Sequence, residues 1–378
     1  MPSRPPELAI VLSGGGARAA YQAGFLHYLA RSVPDLGPAI ITGVSAGAVN
    51  AAYLAAHEAR FQEKVQQLCE LWAALRVEDV FVAGAPSLAS SAVRWAMRLV
   101  SGGSHSAPAT KSLVDTEPLR LLLSSVLNTD SGVMEGIERN LARGELKAVA
   151  LTASSYTTGQ SITWVQGRDI STWERAQRKS VRARLTVAHV MASSALPLFF
   201  PAIEVDGAWY GDGGIRLTAP LSPAVHLGAD RILAISTRYG RNEAEADRPA
   251  VDGYPPPAQV AGVLLNAIFL DLFDGDALRL DRINRLVDQL SPAQAAPLRH
   301  VDLLVLRPSE DLGRLANEFE TRLPPALRFM TRGLGTQQTR SNDLLSLIMF
   351  QPDYLKHLLE LGERDAEARA GEIADFLG

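Results

Sequence analysis

Twice within its first sixty residues the chain runs from a short apolar segment into a glycine-rich turn and out into a helical pattern. Leu8–Leu12 is a continuous apolar run closed by Ser13-Gly14-Gly15-Gly16, which reads as a buried strand ending in a tight turn. From residue 18 to residue 31, Tyr21, Phe25 and Leu29 recur at helical spacing. Residues 39–43 form a second short strand, and after Val44-Ser45-Ala46-Gly47 the alanine-rich stretch 48–56 favours helix. Strand, turn and helix in repetition predict an α/β fold around a mostly parallel sheet.

The rest of the chain continues that grammar. Helical patterns occupy 58–75, 88–100, 117–127, 133–142 and 186–194, and strands are expected at 146–152, 161–166, 231–236 and 301–306. A Gly/Asp-rich turn is expected at 207–214, and residues 175–184 read as a solvated charged face. Residues 241–257, with four prolines and several acids, read as an exposed loop. Beyond it come an unusually apolar helix at 260–273 and helical patterns at 344–350 and 354–361. One domain over 7–378 is expected, with its motifs in 7–240 and a helical part in 257–378.

Composition narrows the function. With 47% apolar and 21% charged residues the chain has ample material for a core. A net charge of −4 lacks the basic footprint of a nucleic-acid binder. Cys69 stands alone, so neither an intramolecular disulfide nor a cysteine-built zinc site is expected. Residues 1–6 have no signal-peptide pattern, and no apolar stretch reaches membrane-spanning length, so the expected address is the cytoplasm, including its membrane surface.

Gly43-Val44-Ser45-Ala46-Gly47 matches G-x-S-x-G and lies between an expected strand and an expected helix, the setting of a nucleophile elbow. Its plainer reading is a structural turn with a helix-capping serine. Gly14, Gly15 and Gly16, followed by Arg18, leave backbone N–H groups unshielded, so they can face an anionic oxygen. Arg18 adds charge there or braces the loop. Neither the phosphate-loop nor the dinucleotide-binding glycine pattern is met, since Ala19 stands where the latter needs glycine. None of the seven histidines sits in a glycine-flanked turn. Asp212, in Trp209-Tyr210-Gly211-Asp212-Gly213-Gly214, is a candidate base, against the reading of an ordinary Asp-Gly turn.

Taken in order, these three elements resemble the bacterial branch of the patatin-like phospholipases. The resemblance extends to Asp115 and Pro118, to Ala192-Ser193-Ser194-Ala195-Leu196-Pro197, to Phe200-Pro201 and to Leu227-Gly228-Ala229-Asp230. It implies a three-layer α/β/α fold with a mostly parallel central sheet and additional helices. It further implies a Ser45–Asp212 dyad without a catalytic histidine, cleaving acyl esters of glycerophospholipids or lysophospholipids through an acyl-enzyme. The oxyanion hole would come from Gly14, Gly15 and Gly16 with Arg18 nearby, while Gly43, Gly47, Gly213 and Gly214 support the motifs. No metal or other cofactor is implied. Many relatives carry glycine after the motif arginine, where this chain has Ala19.

The expected partner is a lipid substrate, with peripheral membrane contact and no nucleic acid; the oligomeric state stays open. Residues 91–100, cationic and aromatic, are a candidate membrane flap, residues 101–110 a connector, and residues 260–273 a candidate wall or lid. Two neighbouring readings use the same sequence: a transacylase or thioesterase, and a catalytically silent lipid-binding protein.

Overall fold

Strands made only of apolar or small residues must be covered on both faces. In the computed structural model they are. The structure describes residues 6–378 apart from 85, 88–89, 91–92, 95–96, 98–99, 101–111, 130–131, 248 and 270–271. Among the described residues ten strands form one sheet: β1 (Leu8–Leu12), β2 (Ile40–Val44), β3 (Ala148–Ser155), β4 (Ser161–Gly167), β5 (Glu174–Arg175), β6 (Arg178–Arg182), β7 (Ile203–Val205), β8 (Ala208–Asp212), β9 (Arg231–Ile235) and β10 (Asp302–Leu306). The main order is β10-β9-β1-β2-β3-β4-β6-β5, and β10 through β3 run parallel. β2 and β3 are buried along their whole length.

Alternate side chains feed two cores. Ile10, Leu12, Ile41, Val149 and Leu151 join one apolar cluster, while Ala9, Val11, Ile40, Ala148 and Ala150 join the other. The first is closed by α1 (Ala19–Ser32), α2 (Ala46–Ala56), α3 (Phe61–Ala74), α4 (Glu117–Val126) and α5 (Val187–Ser193). The second takes in Leu221, Ala224, Phe273 and Leu280. The result is the expected three-layer α/β/α arrangement with its mostly parallel sheet. Further helices follow β9: α6 (Pro257–Phe269), α7 (Leu312–Phe319), α8 (Asp343–Ile348) and α9 (Pro352–Ala368). Among the described residues no helix is long and apolar enough to cross a membrane.

Two sequence expectations change. Residues 207–214 are not simply a turn: β8 occupies Ala208–Asp212 and forms a hairpin with β7. The reason lies in β3, whose eight residues outrun β2. β2 pairs with Ala148 through Thr152, and β8 then takes the open edge at Ala153, Ser154 and Ser155. Unpaired backbone at that buried edge would be costly. Residues 175–184 do more than face solvent: β6 pairs with β4 on one side and with the two-residue β5, the last strand of the sheet, on the other, and it buries Ser180. The charged residues of β5, Glu174 and Arg175, suit the edge, where they discourage further pairing.

α9 lies against α1 at very short range. A Cβ built on Gly24 would sit 2.0 Å from the Leu359 carbonyl oxygen, and one on Gly362 would sit 2.2 Å from that of Tyr21. Glycine is required there by the neighbouring backbone. Gly362→Val is therefore expected to lower stability in urea unfolding by about 3 kcal/mol through overpacking. Gly371→Ala, whose Cβ would enter open space, is expected to change it by no more than about 1 kcal/mol.

Candidate active site

The overhang of β3 decides where Asp212 sits. Val44, the last residue of β2, pairs with Thr152, and Asp212 pairs with the next residue, Ala153. Ser45 follows Val44, so the serine turn and the end of β8 meet above one strand. Both residues line the same cleft.

Ser45 holds φ 56° and ψ −134°, a strained backbone for a residue with a side chain. The strain is held from both sides. The Ser45 N–H donates to Ser193 Oγ at 3.1 Å, and Ser193 Oγ donates to the Thr152 carbonyl at 2.6 Å. Ser194 Oγ donates to the Ser45 carbonyl at 2.9 Å. Crowding explains the flanking glycines: a Cβ on Gly43 would lie 2.4 Å from the Gly47 carbonyl oxygen, and one on Gly47 would lie 2.4 Å from that of Leu12. A Cβ on Gly213 would meet the Thr152 carbonyl oxygen at 2.1 Å.

Asp212 is fully buried. Its N–H donates to the Ala195 carbonyl at 2.9 Å, and its Oδ1 accepts from the Gly214 N–H at 2.9 Å. Oδ2 has no hydrogen bond of ordinary geometry among the described residues. Burial pushes the carboxyl up from 3.8 to about 7, opposed by its contact with the Ser45 hydroxyl and by the Gly214 N–H. Tyr156, which sequence reasoning did not single out, lays its hydroxyl over Gly211, where a Cβ would lie 2.1 Å from it.

The triple-glycine loop packs directly on this pair. A Cβ on Gly14 would fall 2.9 Å from that of Ser45, and one on Gly16 would fall 2.1 Å from the Leu347 carbonyl oxygen. Thr237 Oγ1 donates to the Gly14 carbonyl at 2.6 Å. Because the peptide is trans, holding that carbonyl turns the Gly15 N–H to the opposite side. Among the described residues nothing in the chain accepts from the amides of Gly15 and Gly16, and both residues line the cleft. Arg18 does not line it. Its guanidinium is buried, with Nε donating to Ser346 Oγ at 2.7 Å and Nη2 to Asp343 Oδ1 at 2.6 Å. Of the two roles open to Arg18 in the sequence, the geometry is that of the brace, tying the loop to α8.

The cleft holds about 830 Å³ between atoms, part of it open to solvent. Apart from Ser45, Ser194 and Asp212, its walls are apolar or glycine: Leu71 and Trp72 of α3, Leu119 and Leu123 of α4, and Phe200 and Phe350 among them. The described residues of 260–273 do not line it; α6 packs instead near α8 and leaves Val260, Val263 and Leu264 exposed. Much of 91–100 and all of 101–110 lie outside the described residues. So does His105. None of the other six histidines lines the cleft. His189, for instance, is spent on Thr186 and packs edge-on against Trp164. Among the described residues no cluster of His, Cys, Asp or Glu is arranged to hold a metal.

Ser193, Ser194, Thr237 and Asp343 were not assigned roles from sequence. The first two lie within the motif-like Ala192–Pro197 stretch, whereas Thr237 and Asp343 carry no local signal. Ser193→Ala is expected to leave the Ser45 N–H unpaired and to lower stability by about 1–3 kcal/mol, measured by urea unfolding. A second outcome follows from Asp212. Its raised pKa means that the folded state binds this proton more tightly than the unfolded chain, so stability falls as pH rises from about 4 through about 7. Asp212→Asn is expected to gain on the wild type by about 4 kcal/mol above that range and to lose the gain near pH 4. Melting curves from pH 4 to pH 8.5 measure this.

Among solved structures, the chain is similar to VipD from Legionella pneumophila, at 14% identity and a TM-score of 0.34, over 95% of this chain and 67% of that one. It is also similar to human GIVD cytosolic phospholipase A2, at 15% identity and a TM-score of 0.45, over 98% and 59%. ExoU of Pseudomonas aeruginosa, solved with SpcU, gives 14% identity and a TM-score of 0.31, over 98% and 61%. The chain thus spans 59–67% of the length of these three. No curated protein matches it. The model of one family, patatin-like phospholipase, matches residues 10–225, which include both glycine turns and Asp212. Matched over more than half its length, the chain belongs to the patatin-like phospholipase family.

Proposed function

We propose that the protein is a serine acyl hydrolase that cleaves acyl esters of glycerophospholipids or lysophospholipids at Ser45, with Asp212 as the base. Family membership supports lipid ester hydrolysis as the general activity. The observation that carries the finer reading is the Asp212 carboxyl, fully buried, held through Oδ1 alone and set against the Ser45 hydroxyl. In this reading Ser45 Oγ attacks the ester carbonyl carbon while its proton passes to the free Oδ2. The tetrahedral oxygen gains its negative charge beside the Gly15 and Gly16 amides, with Gly14 held by Thr237. Collapse of the intermediate breaks the ester C–O bond, and Asp212 returns the proton to the leaving alcohol oxygen. Water then repeats the sequence on the acyl-enzyme, releasing a fatty acid and the free serine.

An ordinary aspartate is a weak base at neutral pH. Burial lifts Asp212 to about 7, which brings its basicity nearer to the serine it must deprotonate. The apolar cleft suits an acyl chain, which gains by leaving water. Its walls also keep bulk water from the developing oxyanion. A membrane-borne substrate requires peripheral contact with a bilayer, and this reading includes such contact.

Ser45→Ala is expected to abolish release of fatty acid from mixed phospholipid vesicles and labelling by a fluorophosphonate probe, with the melting curve preserved. Persistent turnover in that variant excludes Ser45 as the nucleophile. The wild-type kcat/KM for a short soluble ester is expected to rise with pH as Asp212 loses its proton, with a midpoint near 7. A midpoint near 4 assigns the base elsewhere or to an unburied carboxylate.

A further inference from the structure

The end of the sheet away from Ser45 carries a second cavity. α2 starts at Ser45 and runs back along the sheet, so its last turn lies near the starts of β2 and β3. There, a recess of about 970 Å³, open on one side, is lined by Leu36 and Pro38 before β2, Leu54 of α2, Phe61 of α3 and Leu146 before β3. Its polar lining is Glu58, Arg60, Lys64, Asn140, Arg143 and Glu145.

Most of these polar groups are already committed. Glu58 binds Arg139 and Arg143, the latter at 2.9 Å, and Glu145 binds Arg143 at 3.0 Å. Asn140 donates to the carbonyls of Ala55 and His57. Arg60 has no side-chain partner among the described residues but is exposed, whereas Lys64 is buried. Lys64 is only 8% exposed, it lines the recess, and among the described residues its ammonium makes neither a hydrogen bond nor an ion pair. Its ammonium keeps contact with the solvent of the open recess, and a largely buried cation that lacks a paired counter-charge favours an anionic ligand there. Burial accordingly lowers the Lys64 pKa, with Glu145 pulling the other way and Arg143 adding to the fall.

We propose that this recess is a second ligand site, distinct from the Ser45 cleft, which binds a fatty carboxylate. The carboxylate faces the Lys64 ammonium and the apolar tail lies along Leu36, Pro38, Leu54 and Phe61. The head group supplies the charge that Lys64 lacks, while Glu58 and Glu145 remain neutralised by their arginines. The wall chemistry selects an amphiphile over a bare anion, because a small anion leaves the apolar surface wet. Such a ligand has the chemistry of a product of acyl-ester hydrolysis, but the site's geometry does not depend on the role of Ser45.

Lysine footprinting tests this directly, since the chain contains only five lysines. The probe is decanoate below its micellar concentration, followed by acetylation with an amine-reactive ester and mass spectrometry. Saturating decanoate is expected to slow modification of Lys64 by about ten-fold or more, and that of Lys147, Lys179 and Lys356 by less than about two-fold. Acetate at the same concentration is expected to protect Lys64 little. Equal protection by acetate reduces the site to a bare anion site and overturns the proposal. Uniform slowing of all lysines marks surfactant adsorption and overturns it too, as does no protection. Lys64→Met keeps the side chain's length and removes its charge. It is expected to retain the wild-type circular dichroism spectrum and ester turnover, while decanoate affinity at this recess falls by about ten-fold or more. Unchanged affinity in a folded Lys64→Met protein overturns the assignment.

Discussion

A five-residue strand beside an eight-residue one creates the candidate site. β3 continues three residues beyond β2, and its exposed backbone edge has to be paired. β8 meets that need from the opposite direction, so a chain segment more than 160 residues after Ser45 ends one ladder position from it. Strand lengths thus determine the meeting of Ser45 and Asp212 before any side chain contact does. The hairpin partner β7, the glycine at 211 and the tight turn at 213 follow from fitting that return strand against Tyr156 and Thr152.

Energetically the site is an expense carried by its surroundings. Ser45 occupies a backbone region that costs about 1–3 kcal/mol, and Asp212 gives up its hydration inside the sheet. Ser193 and Ser194 grip the two ends of the Ser45 residue, while Thr237 fixes the glycine loop that faces it. Behind the loop, Gln22 donates to the Ser13 and Ile235 carbonyls at 2.9 and 3.1 Å, and Asn50 links Gln22 to the Trp72 indole. These buried polar groups satisfy one another and so make the loop's position specific. The apolar clusters on both sides of the sheet provide the stability against which these local costs are set.

Local patterns carried much of this architecture. The glycine turns after β1 and β2 were legible because each follows an apolar strand and precedes a periodic helix, and the family model spans both. β8 was not, since Ala-Trp-Tyr-Gly-Asp between glycines reads locally as a turn and becomes a strand only when β3 offers an edge. β6 was hidden for a related reason: its Arg and Lys residues give no apolar alternation, and its pairing depends on β4 and β5. The side chains around Ser45 and Asp212 divide in the same way. Ser45 and Asp212 sit in recognisable turns, whereas Thr237 and Asp343 act through contacts formed 223 and 325 residues away along the chain. No window of sequence contains such a pair.

The Arg18–Asp343 contact has an implication for where a functional unit ends. The family model stops at residue 225, yet Asp343 and Ser346 hold the arginine of its first motif, and Leu347, Ile348 and Phe350 complete the cleft. Asn266 of α6 donates to the other oxygen of the same aspartate, so two late helices converge on one early loop. A fragment cut at the family boundary would contain both glycine turns, Ser45 and Asp212 and lack both the guanidinium's partner and one wall of the cleft. In this chain the motif region and the later helices pack against each other, and a change at 343 removes the ion-pair partner of the motif arginine.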